Sequence, residues 1–171
     1  MEVLNYKKFR VTDEMFASKG KRFLNYLIDL GFFYALFILL GVLLYIIAEI
    51  TGSEGLYDFL IELENVNPII DRLLTAVLLV IYYTILESLS QKTIGKLITR
   101  TKVVLENGER PPFEVFVKRS LCRIIPFDPI SFLGKKGWHD SISKTYVVDD
   151  NVFNEQKRQH KNYQELGALN E

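Results

Sequence analysis

The strongest constraint on this chain is an apolar run near its start. From Phe23 to Ala48 it reads FLNYLIDLGFFYALFILLGVLLYIIA, 26 residues with a single charge, Asp29. About 20 mostly apolar residues carry a helix across a bilayer, and the 19 residues from Leu30 to Ala48 are all uncharged. The run has no polar face, so it fits poorly as the amphipathic helix of a soluble core. It predicts a membrane-spanning helix over 23–48. A signal peptide fits badly: the run is long for an h-region, and no small-x-small cleavage site follows Ile46-Ile47-Ala48. The expectation is a retained anchor.

A second run, IIDRLLTAVLLVIYYTILES, predicts a returning span over 69–89. Its uncharged centre, Leu73 to Leu86, is 14 residues, a length that also suits a core helix. Asp71, Arg72 and Glu87 sit near its ends, within reach of headgroups. Charge is sorted around these two runs. Lys7, Lys8, Arg10, Lys19, Lys21 and Arg22 precede the first, and ten Lys and Arg lie between Lys92 and Lys136. The connection from Glu49 to Asp71 has six acidic residues and no Lys or Arg. The positive-inside rule then puts both termini in the cytoplasm and the acidic connection outside. Composition alone hides this. With 49% hydrophobic residues, 25% charged residues and a net charge of zero, the averages match an ordinary soluble domain. They exclude a collagenous or low-complexity chain and give no argument for a nucleic-acid partner. One cysteine, Cys122, excludes an internal disulfide framework and a cysteine zinc cage.

The third hydrophobic region, 113–133, carries Lys118, Arg119 and Arg123 and is broken by Pro126 and Pro129. Each basic residue would cost about 2.5–3.5 kcal/mol at the centre of a span. The economical reading is an amphipathic helix at the cytoplasmic interface followed by a re-entrant bend; a third span is the alternative. Ile98 to Leu105 is rich in β-branched residues and leads into the turn signal Asn107-Gly108, and Lys144 to Val148 is also β-prone. These two segments are expected to form a short β-pair at the cytoplasmic face. The fold class is thus an all-α integral membrane protein with two transmembrane helices, the third amphipathic or re-entrant helix and that β-pair. A polar N-terminal segment, 1–16, precedes the membrane domain, 17–148, and a polar tail, 149–171, is expected to fray.

In this order and setting the motifs resemble the RDD family of membrane proteins, named for an arginine and two aspartates. Arg22 and Asp29 stand in KRFLNYLID at the start of the first span, and Asp140 stands in WHDSISKTYVV. Between them KTIGKLITRTKVVLENG matches the family's Thr-x-Gly-Lys segment, its valine-rich strand and its glycine turn. Gln91 stands where the family often has glycine. Arg119 and Arg123 fall where the family carries an arginine ahead of its last hydrophobic segment, and Arg123 is taken as the match. The resemblance covers roughly 17–148. It implies a membrane protein with suspected roles in moving ions or small solutes, and names no substrate.

Among individual residues, Asp29 is the sharpest candidate, because a carboxylate inside a span must be partnered, hydrated or protonated. Arg22, Asn25 and Asp29 share one helix face, but Arg22 and Asp29 are roughly 10 Å apart along it, too far for a direct bond. Lys96, Arg119 and Arg123, with Tyr82 or Tyr83, are the expected partners. The functional reading is a cation- or proton-binding carboxylate; the competing reading is a structural ion pair docking the first span on the basic segment. Glu87 is a second candidate, against a solvated helix end. Asp140 reads as a structural cap or an ion-pair partner of the basic segment, ahead of a metal ligand with His139.

Arg22, Asp29, Glu87, Lys96, Arg123 and Asp140 are therefore the candidate cluster, either ion- or solute-binding or structural. Gly95-Lys96 lacks the spacing of a phosphate loop, and no nucleophile–base set stands out. No enzyme activity, cofactor, metal or nucleic-acid partner is expected. Two functions remain. One is a transport or permeability component in a bacterial inner membrane, working as a homo-oligomer or with a membrane partner. The other is a membrane-anchored accessory or scaffold whose basic face meets anionic lipid headgroups.

Overall fold

The structure, a computed structural model, describes residues 8–125 and 137–168. Two long helices dominate it: α1, Lys19–Thr51, and α3, Pro68–Ser90. Both are long and apolar enough to cross a membrane, and both extend past the runs that predicted them. Ser18 starts α1 by accepting from the Lys21 backbone N–H, and Asn67 with Pro68 starts α3. Between them the acidic connection forms a helix of its own, α2, Glu54–Glu64. Its acidic composition marks the side of the connection but carries no signal that anticipates a helix there.

At the foot of α1 and α3 sits a compact base. It consists of α4 (Ile94–Thr99), β1 (Thr101–Leu105), α5 (Phe113–Cys122), α6 (Trp138–Ile142), β2 (Thr145–Asp149) and α7 (Asp150–Ala168). The expected β-pair is present: β1 and β2 run antiparallel, with Val103 opposite Val147. The first strand is shorter than the β-branched run because Ile98 and Thr99 close α4. Val104 and Val148 turn one face of the pair onto Met15 and Phe153, with Phe9 and Val11 packed alongside. The segment before α1 is thus woven into the base, and the Ala17 N–H donates to the Val147 carbonyl at 2.9 Å.

Gly108 and Gln91 are two of the positions with left-handed backbone. Gly108 has φ +72°, and a Cβ there would meet the Phe9 ring at 2.7 Å from Cδ1, so the Asn107-Gly108 signal marks a real turn. Gln91 ends α3 in the left-handed region at φ 60°, the work a glycine would otherwise do. It is held there from both sides: its N–H donates to Glu87 O at 2.8 Å, and its side-chain amide donates to Val103 O at 2.8 Å. Where it is described, the polar tail is helical. It forms the 19-residue α7, anchored at its start by buried Phe153 and by the Asp149 carboxylate accepting from Asn151 N–H. Of the region 113–133, α5 covers Phe113–Cys122, and residues 126–136 lie outside the described residues.

Candidate functional site

The base is joined to the long helices by buried polar side chains. Asp29, about three turns into α1, has a carboxylate that accepts from Thr93 Oγ1 at 2.6 Å and from the Gly95 backbone N–H at 2.7 Å. Thr93 is the N-cap residue of α4, and Gly95 N–H is one of the donors that a helix start leaves without an intrahelical partner. Asp29 therefore completes the N-terminus of α4, where a negative charge also suits the helix dipole. Gly95 makes this approach feasible. A Cβ there would lie 2.8 Å from the Asn25 Cα. Asn25, one turn before Asp29, sits among Thr99, Thr101 and the carbonyls of Lys21 and Gly95, and extends the same seam.

The Asp29 site departs from expectation. Among the described residues its close partners are a hydroxyl and a backbone amide, and neither Lys96, Arg119 nor Arg123 pairs with it. Tyr82 OH is nearest of the expected tyrosines, at 3.5 Å.

The cations gather instead on Glu87 at the end of α3. Lys96 Nζ lies 2.9 Å from its carboxylate, Arg119 Nε 2.9 Å and Arg123 Nη2 3.1 Å. Glu87 is 0% exposed, so the solvated helix end is overturned. Arg123 also stacks on Tyr83, 4.0 Å from the ring centroid. Arg119 is the hinge of the cluster, buried on α5 between the long helices and the sheet. Its Nη1 pairs with Asp140 and donates to Thr145 Oγ1 at 2.6 Å, and Arg22 Nη1 reaches the same Asp140 at 4.0 Å. Asp140 is thus an ion-pair partner of the basic segment. Burial pushes its carboxyl up, but Arg119, His139 and Arg22 outweigh this and hold it well below the ordinary aspartate range. Burial pulls the Lys96 ammonium below the ordinary lysine range against the opposing pull of Glu87.

The six candidates do form one neighbourhood, in two linked nests: Asp29 on α4, and Glu87 with Asp140 bridged by Arg119. Sequence reasoning gave Arg123 the leading place among the arginines, whereas Arg119 is central and Arg123 peripheral. The i, i+3 spacing of Phe116 and Arg119 was the available signal, since it puts Arg119 on the buried face of α5. Thr93 and Gly95 stand in the Thr-x-Gly-Lys motif, which does not by itself name them as partners of Asp29. A threonine N-cap followed by a residue without Cβ is a helix start open to a carboxylate.

Beside the cluster runs a groove of about 500 Å³ between α1 and α3. Arg119, Ser120 and Asp140 line its foot, Tyr26, Leu30, Leu79 and Val80 its walls, and Asp71 with Arg72 its far end.

Two helices long and apolar enough to cross a membrane, tied at one end by buried ion pairs, are what the fold offers as a class signature. The RDD family profile matches residues 16–136, and the chain belongs to the RDD family, whose members are membrane proteins. An uncharacterized protein of Bacillus subtilis (strain 168), YxaI, is 34% identical over 99 residues, in a match that covers 53% of this chain. The match spans 66% of that relative's length, just under two thirds. No solved structure matches the chain.

Proposed function

We propose that the protein is a multi-pass component of a bacterial inner membrane that passes ions or small solutes, with both termini cytoplasmic. Sorted charge supports the orientation: the base is fed by basic segments and α2 is acidic. The observation that carries the transport reading is the groove, which connects the charge cluster to Asp71 and Arg72. Along α3, Asp71 and Glu87 are roughly 24 Å apart at helical rise, comparable with a hydrocarbon core of about 30 Å. Two helices cannot close a pathway, so a second copy or a membrane partner would supply the remaining wall. The cluster acts here as architecture, and Asp29 is a structural group and not the cation ligand. The reading is non-enzymatic.

Light-scattering swelling of proteoliposomes, with potassium chloride and glycerol as probes, tests this. Wild type should pass at least one probe. Ala76→Trp, which fills the groove, should abolish that flux, while Leu39→Trp on the outer face of α1 should keep it. No flux in wild type, or full flux in Ala76→Trp, would sink the reading. One observation favours a second reading, an accessory or scaffold protein: Asp29, Glu87 and Asp140 are all engaged already. That reading expects no flux with either probe.

A further inference from the structure

α5 is amphipathic in the opposite sense to a helix on a water-soluble domain. It buries Phe116, Arg119 and Ser120, while Phe113, 63% exposed, and Leu121 face outward, with exposed Ile124 just past its end. Glu114 and Lys118 are exposed along one edge of that apolar face. The two shorter helices of the base repeat the inversion. α4 buries Lys96 and exposes Leu97 and Ile98, and α6 buries Asp140 and exposes Trp138 and Ile142. In water both halves of this arrangement cost free energy. The rest of the base has ordinary polarity: Met15, Val104, Val148 and Phe153 form its core, and α7 is polar.

Two observations say what covers the apolar faces. The first is continuity. α4 is docked on α1 through Gly95 and Asp29, and α5 on α3 through Arg119 and Glu87. Their outward residues therefore extend the exposed apolar surface of the long helices, which at this end includes Phe23 and Leu27 on α1 and Ile85 and Leu89 on α3. The second is charge. The chain passes from α4 to β1 through Arg100, and from α6 to β2 through Lys144. Both are exposed, and both hold left-handed backbone, φ 55° and 54°, where glycine would be less strained. A basic side chain thus stands at both crossings between an apolar-faced helix and the sheet. Apolar surface bounded by basic residues suits the boundary of an anionic bilayer. A protein partner would leave the continuity with α1 and α3 without a reason.

We propose that α4, α5 and α6 are immersed in the cytoplasmic leaflet, their outward apolar residues against lipid chains and Arg100 and Lys144 at the level of anionic headgroups. The Glu87 cluster then lies within the leaflet, shielded by the helices that carry it. The sheet, the segment before α1 and α7 stand in the cytoplasm. The proposal rests on α1 and α3 spanning the membrane and needs no flux.

Trp138, the single tryptophan, reads the depth of α6 directly. Full-length protein is reconstituted in vesicles of phosphatidylcholine and phosphatidylglycerol. Quenching of its fluorescence by lipid brominated along the acyl chain is compared with quenching by aqueous iodide. The reference is Trp138→Phe combined with Arg158→Trp, which moves the reporter to an exposed position on α7. Trp138 should be quenched several-fold more than this reference by the brominated chains, and several-fold less by iodide. Trp138→Phe combined with Leu97→Trp should behave like wild type, which places α4 at the same depth without disturbing a buried group. Brominated phosphatidylglycerol should be preferred to brominated phosphatidylcholine around Trp138 by about fivefold, the ratio expected of one basic residue at an anionic surface. Lys144→Gly, which keeps the left-handed backbone, should remove that preference. Iodide quenching of Trp138 as strong as that of the α7 reporter would overturn the proposal, because α6 would face water. Protection from both quenchers would overturn it in favour of a protein cover. Equal quenching of wild type by the two brominated lipids would overturn it at the headgroup contact. Flotation of the vesicles reads the spanning helices separately. Protein that does not float with lipid would overturn the spanning reading and this proposal together, whereas floating protein with a water-exposed Trp138 would overturn this proposal alone.

Discussion

Midway along α1, Ile38 and Leu39 are 67% and 66% exposed, whereas Asp29, three turns below, is 1% exposed. The same inversion holds across the molecule. The long helices turn their Leu, Ile and Phe outward, and the base buries Glu87, Lys96, Arg119, Thr93 and Thr145. In water this arrangement would be unstable on both counts, because apolar surface and unsolvated charge are each costly. In a bilayer the first cost vanishes. Lipid tails are as apolar as leucine, so the long helices gain little by packing their outer faces on protein. They need a specific tie, and the base supplies one through charge and hydrogen bonds. For helices that cross a bilayer, the contrast assigns different forces to the two regions: lipid would hold the helices in place, and the polar base ties them to each other.

The largest effect should come from breaking the tie at Glu87. Glu87→Leu leaves Lys96, Arg119 and Arg123 without the carboxylate that faces them. Stranding buried charge in this way costs about 3–5 kcal/mol. Thermal unfolding in detergent should show the loss, and a drop under about 1 kcal/mol would mean the base is held mainly by its small apolar core.

Acid should act on the same tie from its other side. The Asp140 carboxyl is held below its ordinary value of 3.8 in the folded protein. The unfolded chain therefore binds the proton first, and stability is complete above that ordinary value. It is lost as pH falls below it toward the folded-state value. Trp138, the single tryptophan, is two residues from Asp140 and can report the transition by fluorescence. Asp140→Asn should flatten the acid limb. An acid limb unchanged in Asp140→Asn would assign acid unfolding to other carboxylates.

A third test weakens the seam between α1 and α4. Gly95→Ala pushes a methyl group into the Asn25 backbone and should cost about 1–3 kcal/mol, as overpacking does. Hydrogen exchange in α4 should rise more than in α7, which packs on the sheet through Val152 and Phe153. Equal exchange in both would show that α4 docks without the close approach at Gly95.

The two regions also differed in how far the sequence exposed them. The long helices were legible because an apolar run of sufficient length and a sorted charge pattern are local properties. The β-pair was legible for the same reason, through β-branched residues and Asn107-Gly108. The partners within the base were not, because they are fixed by tertiary contact. Asp29 and Gly95 are 66 residues apart in sequence. Arg119 and Arg123 carry the same charge on the same short segment, and only the docking angle of α5 decides which is central. The tail misled because its composition is polar all round, yet Val152 and Phe153 at its start pack on the sheet. These two residues fix where α7 starts on the sheet.

The smallest effect is the one that bears most directly on the contrast. Leu39→Ala removes a large side chain from the middle of α1, a change that costs about 2–5 kcal/mol inside a protein core. If the outer face of α1 meets only lipid, the alanine loses no protein neighbour and stability should move by about 0.5 kcal/mol or less. Leu39→Arg gives the complementary result, since a basic residue at the centre of a span costs about 2.5–3.5 kcal/mol and should impair insertion. Thermal unfolding of the alanine variant in lipid nanodiscs and membrane fractionation of the arginine variant would read the two effects. A core-like loss from Leu39→Ala would mean that another protein surface covers this face in the membrane. The helices would then be held together by packing as well as by the base, and the division of forces between the two regions would fail.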